Sequence, residues 1–453
     1  MVAYAAGFSA LSILRDRAFD TGRFDLGNMV QAVWSTAHGH ALRITNLHGD
    51  QVSRLAAHVD PILVLFAPLW WIWPSPAMLL VVQAAAVALG AFPVYWLARK
   101  HLRDERAALG FSLVYLLLPA VQWLTLNEFH PVALACPLLL FAFRYLDDDR
   151  LVPFAVFAVL AAATKEEIAL VVAGFGIWYA VARRRPAVGA GIVAAGGLWF
   201  ALAVGVVMPH FNHGGASSFY GRYRDVGGTP GGVLRTAVTH PVRLVNKAFD
   251  TRSLHYLAQL LVPLAGLFLA APLVLVAALP ELALNLLSSV STQTSIHFHY
   301  TAGLIPPLVL ASVLGAARLA RGSPRRAVAV AAIAVAVALV ENYRLGAMFQ
   351  AHASVSAHDR IAARALRLVP SGAVVSATNT LGAHLSARRR ILSFPLVADA
   401  TWVAVDERHP SDADRSSAPR RFAVALARFR HTSGWRLVYR RDGVLIFRRA
   451  SRA

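Results

Sequence analysis

The stretch from Phe24 to Pro61, FDLGNMVQAVWSTAHGHALRITNLHGDQVSRLAAHVDP, gathers three aspartates (Asp25, Asp50, Asp60) and four histidines (His38, His40, His48, His58) just ahead of a series of hydrophobic runs. Ionisable groups beside a bilayer persist where they face a water-filled cavity or pair with one another. Asp25 follows the first apolar run directly and is therefore held near the membrane surface. A carboxylate there can take a proton from a hydroxyl during group transfer. The same side chain could instead cap the helix expected over Asn28–Thr36; the residues alone leave both roles open.

Other polar clusters stand at the ends of later apolar runs: Glu128 with His130, the tripeptide Lys165, Glu166 and Glu167, a loop with His210, His213, Tyr220, Arg222, Tyr223 and Arg224, and His297, His299 and Tyr300. Lys165 could grip a phosphate while a glutamate anchors a sugar hydroxyl, although an internal ion pair is the commoner use of such a tripeptide. Arg222 and Arg224, beside the tyrosines, could hold a lipid phosphate or simply solvate a loop. His48, His58, Asp60 and His130, with Asp50, Glu128, His297 and His299 near them in type, have ligand chemistry suited to a divalent cation. Their spacing is not diagnostic, and no HExxH appears. No GxxxxGK[ST] loop, GxSxG elbow or dinucleotide fingerprint is present either, which removes support for ATPase, serine-hydrolase and nicotinamide chemistry.

The elements that must position these groups are membrane helices. Of 453 residues 57% are hydrophobic and 15% charged, and several apolar runs of about 17 to 25 residues suit a bilayer core. The net charge of +20 gathers at run ends and in the C-terminal part without interleaved stacking aromatics, so topology rather than nucleic acid accounts for it. Cys136 is the sole cysteine, which excludes an internal disulfide and suits a small buried hydrophobe. Orienting the runs by their flanking Arg and Lys gives about eleven crossings, with the N-terminus inside and the C-terminus outside.

In that reading single spans cover Pro76–Ala98, Ala107–Leu126, Pro131–Leu146, Ala187–Met208 and Tyr256–Leu279. Leu151–Thr164 and Ile168–Ala182 form either a hairpin with a polar tip or one interrupted helix. The run Ile62–Trp73, bounded by Pro61 and Pro74 and bearing Trp70, Trp71 and Trp73, is too short to span and reads as interfacial or re-entrant. The N-terminal run before Arg15 is also short of a span, so the first helix is shortened or the start lies inside it. A membrane part of residues 1–344 thus carries a first outer loop (20–60) and a second (209–255). From Leu345 to the end the alternation of short apolar runs with turn residues predicts a small extracytoplasmic α/β domain. Its strands are expected at Ala373–Ala377, Arg390–Phe394, Thr401–Asp406, Trp435–Arg440 and Val444–Arg448, with Asp442-Gly443 turning the last hairpin.

The order FDLGNMVQAVWSTAHG, HVDPILVLFAPLWWIWPSP, NEFHPVALACPLLLFAFRYL, AAATKEEIAL and HFHYTAGLIPP resembles a family of bacterial polytopic membrane proteins, domain of unknown function 2079. That family is similar in layout to the GT-C class of membrane glycosyltransferases, which have many spans, an acidic catalytic residue in the first extracytoplasmic loop and often a soluble C-terminal domain. The resemblance implies transfer of a sugar from a polyprenyl-phosphate donor at the outer face of the bacterial cytoplasmic membrane. It places Asp25 at the first-loop acid, with Asp50 and Asp60 in reserve. On the glycosyltransferase reading, the polar clusters make His58, Glu128, His130, Lys165, Glu166, Glu167, Arg222, Arg224, His297, His299 and Tyr300 the expected substrate-binding residues. The competing expectations are a transporter or flippase for a lipid-linked or anionic solute, and a non-catalytic protein of envelope assembly.

Overall fold

The computed structural model describes residues 1–213, 218–415 and 419–450. Parts of the expected second outer loop (214–217) and of the expected C-terminal domain (416–418 and 451–453) lie outside the described residues.

Among the described residues three helices are long and apolar enough to cross a membrane: Pro76–Leu102, Pro186–Phe211 and Pro324–Gln350. Two of the expected single spans are broken. Glu105–Leu117 and Pro119–Leu126 meet at a 51° bend, where Pro119 has no amide to continue the ladder. The run expected over Tyr256–Leu279 becomes the helix Thr251–Leu261 followed by short turns, with Ala265 and Gly266 both in the left-handed region. Pro263 and Pro272 bracket that interruption, and a proline inside an apolar run stops a helix whatever its hydropathy. Pro61–Phe66 is a 3₁₀ segment leading into the helix Ala67–Ile72. Trp71 and Trp73 of that stretch are exposed while Trp70 is buried.

Helices Leu151–Ala162 and Ile168–Ala182 form a hairpin. The evidence is at its base, where Asp149 ahead of the first helix takes a hydrogen bond from Tyr179 and pairs with Arg185 at the end of the second. Close by, the buried Asp147 carboxylate is shared by Lys100, His101 and Arg183. With its base fixed, the hairpin presents Lys165–Glu167 at the opposite end.

Among the described residues seven short strands complete the fold. Within the first loop β1 (Arg43–Thr45) and β2 (Gln51–Ser53) form an antiparallel hairpin. The C-terminal region holds β3 (Val375–Ala377), β4 (Ile391–Ser393), β5 (Trp402–Asp406), β6 (Trp435–Arg441) and β7 (Val444–Arg449), in the order β4-β3-β5-β7-β6. The first three are parallel and the last two antiparallel. Each lies where the alternation of apolar residues places a strand. Asp442 and Gly443 both have positive φ, the geometry of the tight hairpin turn that an Asp-Gly pair favours.

The C-terminal sheet is fastened to the first loop by several side chains, foremost Arg23, which is 0% exposed. Its Nη1 donates to Ser393 Oγ (2.6 Å) and its Nη2 to the carbonyls of Ile391 (2.7 Å) and Thr45 (2.9 Å). Gln31 adds donations to the carbonyls of Arg388 and Arg389, and Thr45 Oγ1 accepts from the Ile391 amide. Burial lowers the Arg23 guanidinium to about 10, which still leaves it charged at neutral pH. Arg23→Met would leave several buried acceptors unpaired, each costing about 1–3 kcal/mol. We expect it to lower stability by about 3 kcal/mol or more and to speed hydrogen exchange at the amides of residues 43–45 and 391–393; unchanged exchange there would show that the sheet is held by other contacts.

Candidate functional site

Asp25 sits in a π-helical turn, Arg23–Gly27, immediately before the helix Asn28–Ala37. It does not cap that helix, since no side chain accepts from its first amides in the capping position. Glu128 takes over from across the fold. Its carboxyl oxygens accept the Gly22 amide (3.1 and 3.2 Å) and the Leu26 amide (2.8 Å), which leaves the Asp25 carboxylate free of the backbone and 52% exposed. Glu128 was expected to contact substrate, and the structure uses it to hold the turn.

The Asp25 turn is therefore pinned twice, by Arg23 toward the sheet and by Glu128 from the segment Asn127–His130. That segment is in turn held by Gln83 of the Pro76–Leu102 helix, whose amide reaches the Thr125 carbonyl (3.0 Å) and the Glu128 carbonyl and whose oxygen accepts the His130 amide (2.9 Å). His130 Nε2 lies 3.2 Å from Asp25 Oδ1, and its Nδ1 lies 2.8 Å from the Asn127 carbonyl. A carbonyl can only accept, so Nδ1 carries hydrogen. The Nε2 contact thus joins the ring to the Asp25 carboxyl from the side opposite its Asn127 anchor. Burial pulls the Asp25 carboxyl upward, and the hydrogen bond and charge of His130, together with Arg54, outweigh it and hold the group below its ordinary value.

A line of rings leads on from this pair. His299 stacks on His130 with centroids 3.8 Å apart, and Tyr300 follows at 4.3 Å. Asn127 Oδ1 receives the His299 amide and faces its Nδ1. Burial and the neighbouring cations push His299 well below the usual histidine range, which favours its uncharged form in the stack. The Tyr300 hydroxyl accepts from Arg222 Nη1 at 3.1 Å, and Arg222 also lies over the Phe219 ring at 4.6 Å.

Tyr300 and Arg222 border a cavity of about 600 Å³ lined also by His58, Lys165, Glu167 and Tyr223. Lys165 Nζ pairs with Glu167 at 2.5 Å and lies 5.6 Å from the Tyr300 ring centre. His58 Nδ1 meets Glu166 Oε1 at 3.0 Å, while Glu166 Oε2 accepts the Val59 amide. The tripeptide Lys165–Glu167 thus contains the internal ion pair expected of it and also faces the cavity. Glu281, a buried carboxyl of the same lining, was not singled out from the sequence; it lies in a weakly apolar segment without neighbouring charge.

The remaining candidates lie elsewhere. Asp60 is 2% exposed and ion-paired to Arg54 at 2.8 Å, and burial raises it to about 6 despite that partner. Asp50 and His48 belong to the exposed turn between β1 and β2, organised by the Asn46 side chain. Neither reserve aspartate joins Asp25. Arg224 is exposed and outside the cavity lining, as are His210 and His213. His297 packs on Trp123 at 4.5 Å. Among the described residues no group of three or more His, Cys, Asp or Glu is placed to hold a metal ion, and the four candidates His48, His58, Asp60 and His130 have separate partners.

The family model for predicted membrane proteins of domain of unknown function 2079 matches residues 15–446. The chain belongs to this family. No curated protein matches it. Among solved structures, this DUF2079 chain is similar to ArnT from Cupriavidus metallidurans bound to undecaprenyl phosphate, at 12% identity over 98% of this chain and 97% of that one, with a TM-score of 0.55. The apo state of the same protein aligns at 13% identity over 93% of each chain with a TM-score of 0.48. The likeness to the lipid-bound structure is one of fold alone.

The coupling of Glu128 to Asp25 has a pH signature. Burial and the Asp25 charge raise Glu128 from 4.5 to about 8, so the folded state favours its protonated form. The stability it contributes is complete below about 4.5 and is lost as pH rises through about 8. Glu128→Gln keeps an acceptor for the amides and cannot ionise. The melting temperature of the wild type should therefore fall relative to Glu128→Gln across that window, and parallel profiles would show that Glu128 does not hold the proton.

Proposed function

We propose that this protein is a membrane glycosyltransferase that moves a sugar from a polyprenyl-phosphate donor to a hydroxyl acceptor. The observation that carries the reading is the continuous array Asp25–His130–His299–Tyr300, which runs from an exposed first-loop carboxylate to a cavity bordered by Lys165 and Arg222. An ArnT structure of the same fold was solved with undecaprenyl phosphate, and that ligand class supports a polyprenyl-phosphate donor here.

In this mechanism ionised Asp25 accepts the proton of the acceptor hydroxyl as its oxygen attacks the anomeric carbon. The bond from that carbon to the phosphate oxygen breaks, and the polyprenyl phosphate leaves with the electron pair. Arg222 and Lys165 meet the charge that develops on the leaving phosphate, because cations in a water-poor site are preorganised for it. His130 positions Asp25 and keeps it ionised. Glu166 and Glu167 orient His58 and Lys165. The proton on Asp25 returns to water once the product departs.

The arrangement of positive residues at run ends supports about eleven crossings with the N-terminus cytoplasmic, which sets the cavity and a C-terminal domain from Leu345 on the extracytoplasmic side of the bacterial cytoplasmic membrane. A panel of radiolabelled polyprenyl-phosphate sugars incubated with the purified protein tests the reading through release of lipid phosphate. Asp25→Asn should lower turnover by about 10²-fold or more while leaving the melting temperature near that of the wild type. Absence of turnover from every donor, with the protein folded, would move the assignment to transport or scaffolding.

A further inference from the structure

Two consecutive helices, Pro230–Thr239 and Pro241–Ala248, follow the long apolar helix Pro186–Phe211 in sequence, and the first reaches the cavity through Val233. Their inward side chains are few: Val233 lines the cavity together with Gly228 and Thr229. Outward, Leu234, Val238, Val242, Val245 and Phe249 are each between 54% and 77% exposed. Leu234 and Val238 on the first helix, and Val242 and Val245 on the second, stand 4 and 3 residues apart, so each pair lies on one side of its own helix. Beside the stripe stand Arg235, Arg243 and Lys247. Lys247 lies 3.6 Å from Asp225, and Arg235 and Arg243 make no ion pair among the described residues.

We infer that Pro230–Phe249 is an interfacial hairpin whose apolar stripe enters the bilayer surface at the cavity's end of the molecule, with Arg235 and Arg243 contacting acidic lipid headgroups. Three observations select the bilayer as occupant. An apolar stripe flanked by cations is the pattern that lies in the plane of a membrane surface. The long apolar helix that precedes it in sequence likewise exposes large apolar side chains, Leu198, Leu202 and Val206. A second copy related by two-fold symmetry would oppose the same cations to each other. Because the hairpin also carries Val233 and the Gly228-Thr229 turn of the rim, its depth fixes the cavity mouth at headgroup level. This inference stands on the membrane location and does not depend on sugar transfer.

The test uses the full chain in bilayer nanodiscs, with single cysteines introduced at 234, 235, 238, 242, 246 and 249 and spin-labelled; Cys136 is fully buried, and the unsubstituted chain reports any label it takes up. Collision with oxygen should exceed collision with a water-soluble nickel chelate at 234, 238, 242 and 249, with the reverse at 235 and 246. Replacing phosphatidylcholine by phosphatidylglycerol should deepen the stripe, and the double variant Arg235→Gln, Arg243→Gln should abolish that lipid dependence while retaining the wild-type melting temperature. Equal nickel access at all six positions, or spin–spin coupling between labels on two copies, would overturn the inference.

Discussion

Everything near the exposed acid depends on keeping one guanidinium out of water. A buried cation is tolerated only where its donors find acceptors, and Arg23 finds them on segments remote in sequence: Thr45 in the first loop and Ile391 and Ser393 in the C-terminal sheet. Satisfying Arg23 therefore requires that β1 and β4 come together. Once they do, the backbone two residues on has little freedom. The Asp25 turn is then closed from the other side by Glu128, and its direction follows from two sets of hydrogen bonds rather than from any local preference of the tetrapeptide Phe-Asp-Leu-Gly.

The array beyond Asp25 is a problem in charge placement. Two imidazoles in face contact cannot both be charged at low cost, and the fold separates their states by position. His130 has a carboxylate on one nitrogen and a carbonyl on the other, whereas His299 has only the Asn127 amide oxygen and lies deep among cations. His130 is thereby the hydrogen-bond partner of Asp25, and His299 the ring that separates it from Tyr300. Asn127 serves both, since its carbonyl orients His130 and its side chain orients His299. The residue just ahead of the Glu128 anchor thus sets the register of the whole line.

The five C-terminal strands and many of the helices were legible in the sequence because apolar period and turn residues are local signals, whereas the short hairpin of β1 and β2 carries no such period. Asp442-Gly443 and the alternation at Trp402–Asp406 are examples. The candidate site was legible in part: Asp25, His130, His299, Tyr300, Lys165 and Arg222 stand out as ionisable or aromatic groups at the ends of apolar runs. Their supports did not. Arg23, Gln31, Gln83 and Asn127 each act on partners far along the chain, and a single polar residue in a helix or turn carries no period that marks it. The reserve aspartates show the converse error, since Asp60 had the right type and neighbourhood but found Arg54 six residues before it.

The broken spans explain why a cavity exists here at all. A bundle of straight apolar helices packs to a dry interior, and irregular backbone at membrane depth is tolerated only where protein or a water-filled space satisfies it. The stretch between Leu261 and Leu279 meets that condition through specific contacts: the Ala270 carbonyl accepts from Arg318 at 2.5 Å, and Gly315 of the helix Ile305–Ala320 lets the Leu267 carbonyl approach where a Cβ would collide. Turning the chain there delivers the short helix Leu279–Leu286 to the cavity wall with Glu281 and Asn285 on it. Asn285 then donates to the Tyr300 carbonyl and the Tyr256 hydroxyl, so the same interruption that opens the space also fixes the last ring of the array beside it.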